Sequence, residues 1–314
     1  MKLRILITGG NGTIGKAFID HYSDEFTFVN VSRSLSSAVN YSGESVTHYS
    51  CDILDLETLT AIFLKEKPNI VIHTAAVKHV NIAEENPSKA IETNLVGSLN
   101  VIKASKVANV EVTIGVSTDK ASSPENVYGY SKKMMEQIFL EHHSEKNKFV
   151  CVRLANVAGS SGSVIPIWTK LAREQKSLKL TDSRMNRLML TTMEASDLLH
   201  QAYLFSSGSE SSFILTKVLK AVSMASLAKS ISNHFNGGRS KVEIMGLRPG
   251  EKLNETLISE KELSQAYLTK DKKYIMLYND DYGKERLTRP LSSLTAELMS
   301  NAEIEFLYKE KNDE

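Results

Sequence analysis

The 314-residue chain has only two cysteines, Cys51 and Cys151, without a CxxC spacing or any other mark of a zinc site or disulfide framework. Both read as small buried hydrophobes. A charge excess is missing too: 38 lysines and arginines stand against 37 acids, interspersed along the chain. Composition thus provides no field for a polyanion, and no nucleic-acid partner is expected. Long apolar runs are absent. The opening MKLRILITGG has a basic start, but its apolar stretch stops at two glycines, too short for a secretory core, and no run elsewhere is long enough to span a bilayer. The expectation is a soluble, cytoplasmic protein with no membrane partner. His73 and His79 lack a third ligand at metal-site spacing, so no metal is expected, while His142 and His143 suit a helix C-terminus. There is no internal repeat, and the closing KEKNDE reads as a solvated tail.

What remains is an ordinary globular composition, 41% hydrophobic, with a strong order in its first half. Short β-branched apolar runs near 3–8, 26–31, 46–50, 69–73, 111–116 and 148–153 alternate with helical patterns near 13–22, 55–65, 87–107 and 126–143. This is the signature of parallel βαβ units, with Asn86-Pro87 as the start signal of the third helix. Right-handed crossovers then give an α/β fold with a doubly wound Rossmann sheet in the order 3-2-1-4-5-6. That order separates the two cysteines by about five strand spacings of ~4.8 Å and forbids a disulfide. After residue 157 the alternation weakens, and GSSGSVIP, TDSRMNR and HFNGGRSK read as loops. Residues 1–156 are therefore expected to form an NADP-binding Rossmann domain. Residues 157–314 are expected to form a smaller substrate-binding lobe, with segments free to return to the first domain.

Thr8-Gly9-Gly10-Asn11-Gly12-Thr13-Ile14-Gly15 follows a predicted strand and opens a predicted helix, the context that makes a glycine pattern a dinucleotide fingerprint. Gly9 permits the turn, Gly12 lets backbone approach a pyrophosphate at the positive helix end, and Gly15 allows close packing of helix on strand. Thr13, Ile14, Ala75 and Ala76 are counted with the same cofactor site. Where an NAD site usually carries an acid, this chain has Ser32-Arg33-Ser34. A guanidinium and two hydroxyls suit a 2′-phosphate, which favours NADP over NAD; a solvated loop arginine is the other reading. Asp52 and Ile53 are placed to meet adenine, and Asp52 equally suits the cap of a helix beginning near Leu54.

Tyr128 and Lys132 stand at i,i+4 at the start of a predicted helix, so phenol and ammonium share a face. A neighbouring cation favours phenolate, and Tyr128 is then able to take a hydroxyl proton as hydride leaves the same carbon. Both residues also count as cofactor contacts. The pair follows Thr118-Asp119-Lys120 at the end of the fifth strand, where ligands bind in open α/β sheets. With the glycine fingerprint, the combination resembles the extended short-chain dehydrogenase/reductase superfamily. HTAAVKHV at 73–80, NPSKAIETNLVGSLNVI at 86–102, VSTDKA at 116–121, NVYGYSK at 126–132, RLANVAGSSGSVIP at 153–166 and GLRPGEKLNE at 246–255 carry a closer likeness. They resemble the soluble, inverting UDP-N-acetylglucosamine 4,6-dehydratases of the polysaccharide and pseudaminic acid biosynthesis family.

That resemblance implies Thr118 near a sugar 4-hydroxyl and Asp119 with Lys120 as the pair that makes a dehydratase of a reductase. Once carbon 4 is a ketone, the carbon 5 proton is acidic, and elimination needs a base there and an acid at the departing 6-hydroxyl. Lys120 serves as the base if partly neutral, and Asp119 as the acid if protonated in a desolvated site. The resemblance also assigns Lys78 and Asn156 to substrate contact, Arg187, Arg248 and Glu251 to the uridine diphosphate end, and the chain to a homo-oligomer. Rival readings are a UDP-sugar 4-epimerase or 4-ketoreductase, against which Asp119-Lys120 argues, and a non-catalytic NADP-binding regulator, against which the Tyr128 and Lys132 pair argues.

Overall fold

The computed structural model describes residues 2–34, 46–247, 250–279 and 285–309. Its first half follows the expected alternation: β1 (Arg4–Thr8), α1 (Thr13–Tyr22), β2 (Thr27–Ser32), β3 (Val46–Ser50), α2 (Leu56–Glu66) and β4 (Ile70–His73). After α3 (Val80–Glu85), α4 (Pro87–Ile91) and α5 (Gly97–Val107) come β5 (Val112–Thr118), α6 (Val127–His142) and β6 (Lys148–Leu154). The six strands are parallel and lie in the order β3-β2-β1-β4-β5-β6, as the crossover rule requires. Cys51 follows β3 and Cys151 lies in β6; both are free and buried.

The sheet continues past β6. Ile214–Lys217 adds in parallel, and Tyr274–Leu277, Ala266–Leu268 and Glu285–Arg286 follow antiparallel, so segments from beyond residue 157 build one side of it. A separate apolar cluster lies under the helices Val164–Arg173, Met224–Asn236 and Asn301–Lys309, around Ile165, Trp168, Leu227 and Ile304. No helix among the described residues is long and apolar enough to cross a membrane.

Two local expectations change. The single helix over 87–107 is instead α4, a π-helical turn Glu92–Val96 and α5, with α3 as a further short helix before it. The wide turn turns the Asn94 side chain inward, where it accepts from Val77 N at 2.8 Å and donates to Val77 O at 3.1 Å and Ser131 Oγ at 2.9 Å. Asp52 does not cap α2: that helix begins at Leu56, and Asp55 accepts from Thr58 N at 3.1 Å, while Asp52 Oδ1 closes a turn to Leu54 N at 3.0 Å.

One buried ion network joins the two halves. Arg153 in β6 is fully buried and donates from Nε and Nη2 to Glu136 of α6 at 2.9 and 2.8 Å. The same guanidinium reaches Glu262 at 3.0 and 3.2 Å and the Leu257 carbonyl at 2.8 Å.

Candidate functional site

The turn after β1 makes a cradle for a dinucleotide. Gly9 has a φ of +76°, and a Cβ there would lie 2.8 Å from Ala75 N, so only glycine fits between β1 and the chain leaving β4. Gly12 occupies the cap of α1 with no side chain over the helix end, and its own N–H bonds Gly9 O at 2.9 Å. The open amides and dipole at that end suit an anion. Gly15 packs against the turn itself rather than the strand, since a Cβ would stand 2.6 Å from Gly10 Cα. Thr13 Oγ1 accepts from Ser161 N at 3.1 Å, and Ile14, Ala75 and Ala76 are half-buried around the same turn. Beyond β2, Arg33 and Ser34 are exposed, Ser32 Oγ donates to Asn30 Oδ1 at 2.9 Å, and the Ser34 carbonyl accepts from Asn11 Nδ2 at 2.9 Å. Ile53 is buried over Gly97, where a Cβ would lie 2.4 Å from its Cδ1. These residues fit a nicotinamide dinucleotide.

The end of β5 and the start of α6 bring the reactive side chains together. Thr118 Oγ1 donates to Asp119 Oδ1 at 2.8 Å, and Tyr128 is buried at the start of α6. Burial pushes Tyr128 up to about 12, and the cation that opposes this is Lys120. Lys132 Nζ donates to the Val116 carbonyl at 2.8 Å, and burial brings it down to about 8. Lys120 Nζ lies 3.1 Å from Asp119 Oδ1 and 2.9 Å from Glu255 Oε1. Burial opposes its charge, but the two carboxylates outweigh this and hold it above the ordinary lysine range. The expected partly neutral Lys120 is therefore not its resting state. Asp119 is raised to about 7, by burial first and then by the charge of Glu255. It meets the condition of a protonated acid near neutrality.

The family described as polysaccharide biosynthesis protein matches residues 5–277. The chain belongs to that family. The probable polysaccharide biosynthesis protein EpsC of Bacillus subtilis is 33% identical over 274 residues, 82% of this chain and 45% of EpsC, so the chain spans less than half of that relative. The UDP-N-acetylglucosamine 4,6-dehydratase (inverting) of Campylobacter jejuni is 31% identical over 278 residues, 85% of this chain and 80% of that protein. The X-ray structure of Pen from Bacillus thuringiensis superposes with a TM-score of 0.87 at 27% identity, covering 98% of this chain and 96% of that one.

In this polysaccharide biosynthesis family member Asn156 and Arg187 lie beside Glu255, and Glu251 beside Arg187. Lys78 Nζ donates to Ser161 O at 3.3 Å, and Asn156 Nδ2 donates to Leu188 O at 3.2 Å and Glu255 Oε2 at 3.0 Å. Arg187 is buried and donates to the carbonyls of Asn186 and Leu253 at 2.9 Å and of Lys252 at 2.7 Å. Its guanidinium thus braces the 252–253 backbone rather than presenting an open fork. Glu251 lies 3.8 Å from Arg187 Nη2 and accepts from Thr181 Oγ1 at 3.4 Å; Arg248 lies outside the described residues. Sequence reasoning missed Glu255. It closes the GEKLNE run beside the singled-out Glu251, and nothing local marks it as the partner of a lysine so distant in the chain.

Proposed function

We propose that this protein is an NADP-dependent UDP-sugar 4,6-dehydratase acting on UDP-N-acetylglucosamine or a close UDP-hexosamine. The observation that carries the reading is Asp119 and Lys120 beside Tyr128: an acid held protonated near neutrality next to a lysine, both adjoining an oxidation-type tyrosine. An epimerase or ketoreductase has no use for that second pair. The named activity of the Campylobacter relative supports the same reading.

A nicotinamide dinucleotide held at the Gly9, Gly12 and Gly15 turn would supply a hydride acceptor for carbon 4 of the sugar and a hydride donor for carbon 6. Tyr128 takes the 4-hydroxyl proton, with the Lys120 charge favouring phenolate. The proton on carbon 5 is now acidic beside the ketone; Lys120 serves as its base only after losing the proton that its two carboxylates hold on it, and Asp119 protonates the departing 6-hydroxyl. The proton gained at Tyr128 makes good the one that leaves with water. Asn156 and Lys78 line the sugar side, and Arg248 and Glu251 serve the uridine diphosphate.

Incubation with UDP-N-acetylglucosamine and NADP should yield a product lighter by one water in mass spectrometry. Asp119→Asn should still form reduced nicotinamide, seen by absorbance, while water loss slows by roughly 10²–10⁴, the range for removing one general acid. A change of configuration at carbon 4 with no loss of mass would make the protein an epimerase instead.

A further inference from the structure

Between Asn156 and the helix Val164–Arg173 the chain makes a tight turn that reaches back to the first half of the molecule. Ser163 N donates to Ser160 O at 2.9 Å, Gly162 has a φ of +75°, and Ser161 is not among the residues of positive φ. These are the marks of a type II turn, with Ser161 and Gly162 as its two central residues. Both main-chain groups of Ser161 are taken by side chains from the other half. Its N–H donates to Thr13 Oγ1 at 3.1 Å, and its carbonyl accepts from Lys78 Nζ at 3.3 Å. His79 lies against the same turn, since a Cβ on Gly162 would meet its Cε1 at 3.4 Å. Thr13 is the first residue of α1, the helix whose open N-terminal amides suit a pyrophosphate. A threonine hydroxyl has one proton to give and two lone pairs to offer. Ser161 occupies a lone pair, and the hydroxyl proton meets no acceptor among the described residues, so it is left for an anion at the helix end.

We propose that the turn at 160–163 is a clasp on the dinucleotide: the Ser161 amide holds the Thr13 hydroxyl as a donor to the cofactor's pyrophosphate, Lys78 pins the turn through the Ser161 carbonyl, and the cofactor leaves only when this bridge opens. Ser161 is then a positioning residue that works through its main chain, which is why its side chain carries no signal in the sequence. The proposal rests on the dinucleotide part of the reading above and not on the loss of water. The two fit together chemically. A reaction that takes hydride from one carbon and returns it to another within the same turnover leaves the cofactor as it found it, so slow release of the dinucleotide does not limit the rate. The clasp also ties the two sites to one segment. Asn156, whose Nδ2 donates to Glu255 at 3.0 Å, stands five residues before Ser161, so the strand end that meets the candidate catalytic cluster runs straight into the turn that meets Thr13.

The test measures release of the cofactor from the full chain. Protein loaded with NADPH, or with NADH should that bind more tightly, is mixed with excess oxidised cofactor, and the loss of nicotinamide fluorescence gives the dissociation rate. Ser161→Pro is the informative variant, because proline suits the second position of a type II turn and removes only the N–H that holds Thr13. It should release cofactor about tenfold faster than the parent, the equivalent of one hydrogen bond, while a parental urea midpoint shows that it folds. Ser161→Ala keeps both main-chain groups and should release at close to the parental rate. Thr13→Val cuts the bridge from the other side and removes the donor as well, so it should release at least as fast as Ser161→Pro. In the Thr13→Val background, adding Ser161→Pro should change the rate by less than about twofold, since the two substitutions break one interaction. An unchanged rate in Ser161→Pro, or the same tenfold gain in the Thr13→Val background, overturns the proposal. A parent that binds neither dinucleotide defeats the cofactor reading and the clasp together. If release behaves as stated while UDP-N-acetylglucosamine loses no water, the clasp stands and the dehydratase reading fails.

Discussion

Arg33 is exposed at the end of β2, where a side chain that reads the adenosine ribose has to stand, and Ser32 and Ser34 flank it. A guanidinium there gains a charge-assisted contact from a 2′-phosphate and nothing comparable from a 2′-hydroxyl. Arg33→Ala should therefore weaken NADP binding by about tenfold or more, the equivalent of one hydrogen bond to a charged group, and leave NAD binding nearly as it was. Calorimetric titration with both cofactors checks this, and equal parental affinities for the two would remove the NADP assignment. At this scale the sequence is informative only for groups whose partners are local. Thr118, Asp119, Lys120 and Tyr128 are close in the chain and meet in the structure. Glu255, Glu136 and Glu262 are ordinary acids in the sequence and acquire their roles from side chains brought to them by the sheet.

Among the elements, the inner parallel strands were legible because each is an apolar run buried on both faces, and the helices because their apolar spacing holds, while the edge strand β3 is largely exposed. The π-helical turn at Glu92–Val96 was not legible: it keeps a helical hydrophobic pattern and differs by one backbone bond, with Asn94 as its only outward sign. His73 shows the same limit from another side. It ends β4 as expected, but its ring bridges Thr8 Oγ1 of β1 at 2.7 Å and Ser98 Oγ of α5 at 3.0 Å. Burial, with the Lys132 charge, depresses His73 to about 3. A histidine whose folded value lies below its unfolded one binds protons better when unfolded. Its effect is thus nil above about pH 6.5 and costs stability as pH falls from there toward 3, by about 1.4 kcal/mol per pH unit. Asp119, raised in the folded state, pulls the opposite way over part of this range. The comparison with His73→Gln cancels that contribution. Urea titrations at pH 7 and pH 5.5 should show the parent losing stability relative to His73→Gln on acidification; a constant difference would mean that His73 is not neutral in the fold.

For the whole molecule, the sheet alone does not explain how residues from beyond 157 are held against the Rossmann strands. Hydrophobic packing of Phe149, Ile214, Ile258, Ile275 and Leu277 draws them in without fixing register. The Arg153 network adds direction, since β6, α6, the Leu257 carbonyl and Glu262 all converge on one buried guanidinium. It also reaches the site. Ser117 Oγ donates to Glu136 at 2.7 Å and Ser122 Oγ to Glu262 at 2.6 Å, so the segment bearing Thr118, Asp119 and Lys120 is anchored at both ends. Removing the guanidinium leaves two buried acids with Lys133, 3.2 Å from Glu262 and 3.8 Å from Glu136, as their remaining cation, so Arg153→Met should cost about 3 kcal/mol in urea titrations at pH 7, the lower end of the range for breaking a buried pair. Changing Glu136 and Glu262 to Gln as well should recover part of that loss, because the charges that made it costly are gone. The pH dependence separates the two effects. Although burial would raise Glu262, Arg153 outweighs it and holds the acid at about 2, so its contribution is present above about pH 4.5 and lost as pH falls toward 2. The parent should lose stability over that window more steeply than Arg153→Met, whose Glu262 keeps only Lys133 at 3.2 Å as a cation. If both proteins lose stability in parallel down to pH 2, the guanidinium packs at the junction without holding it together electrostatically.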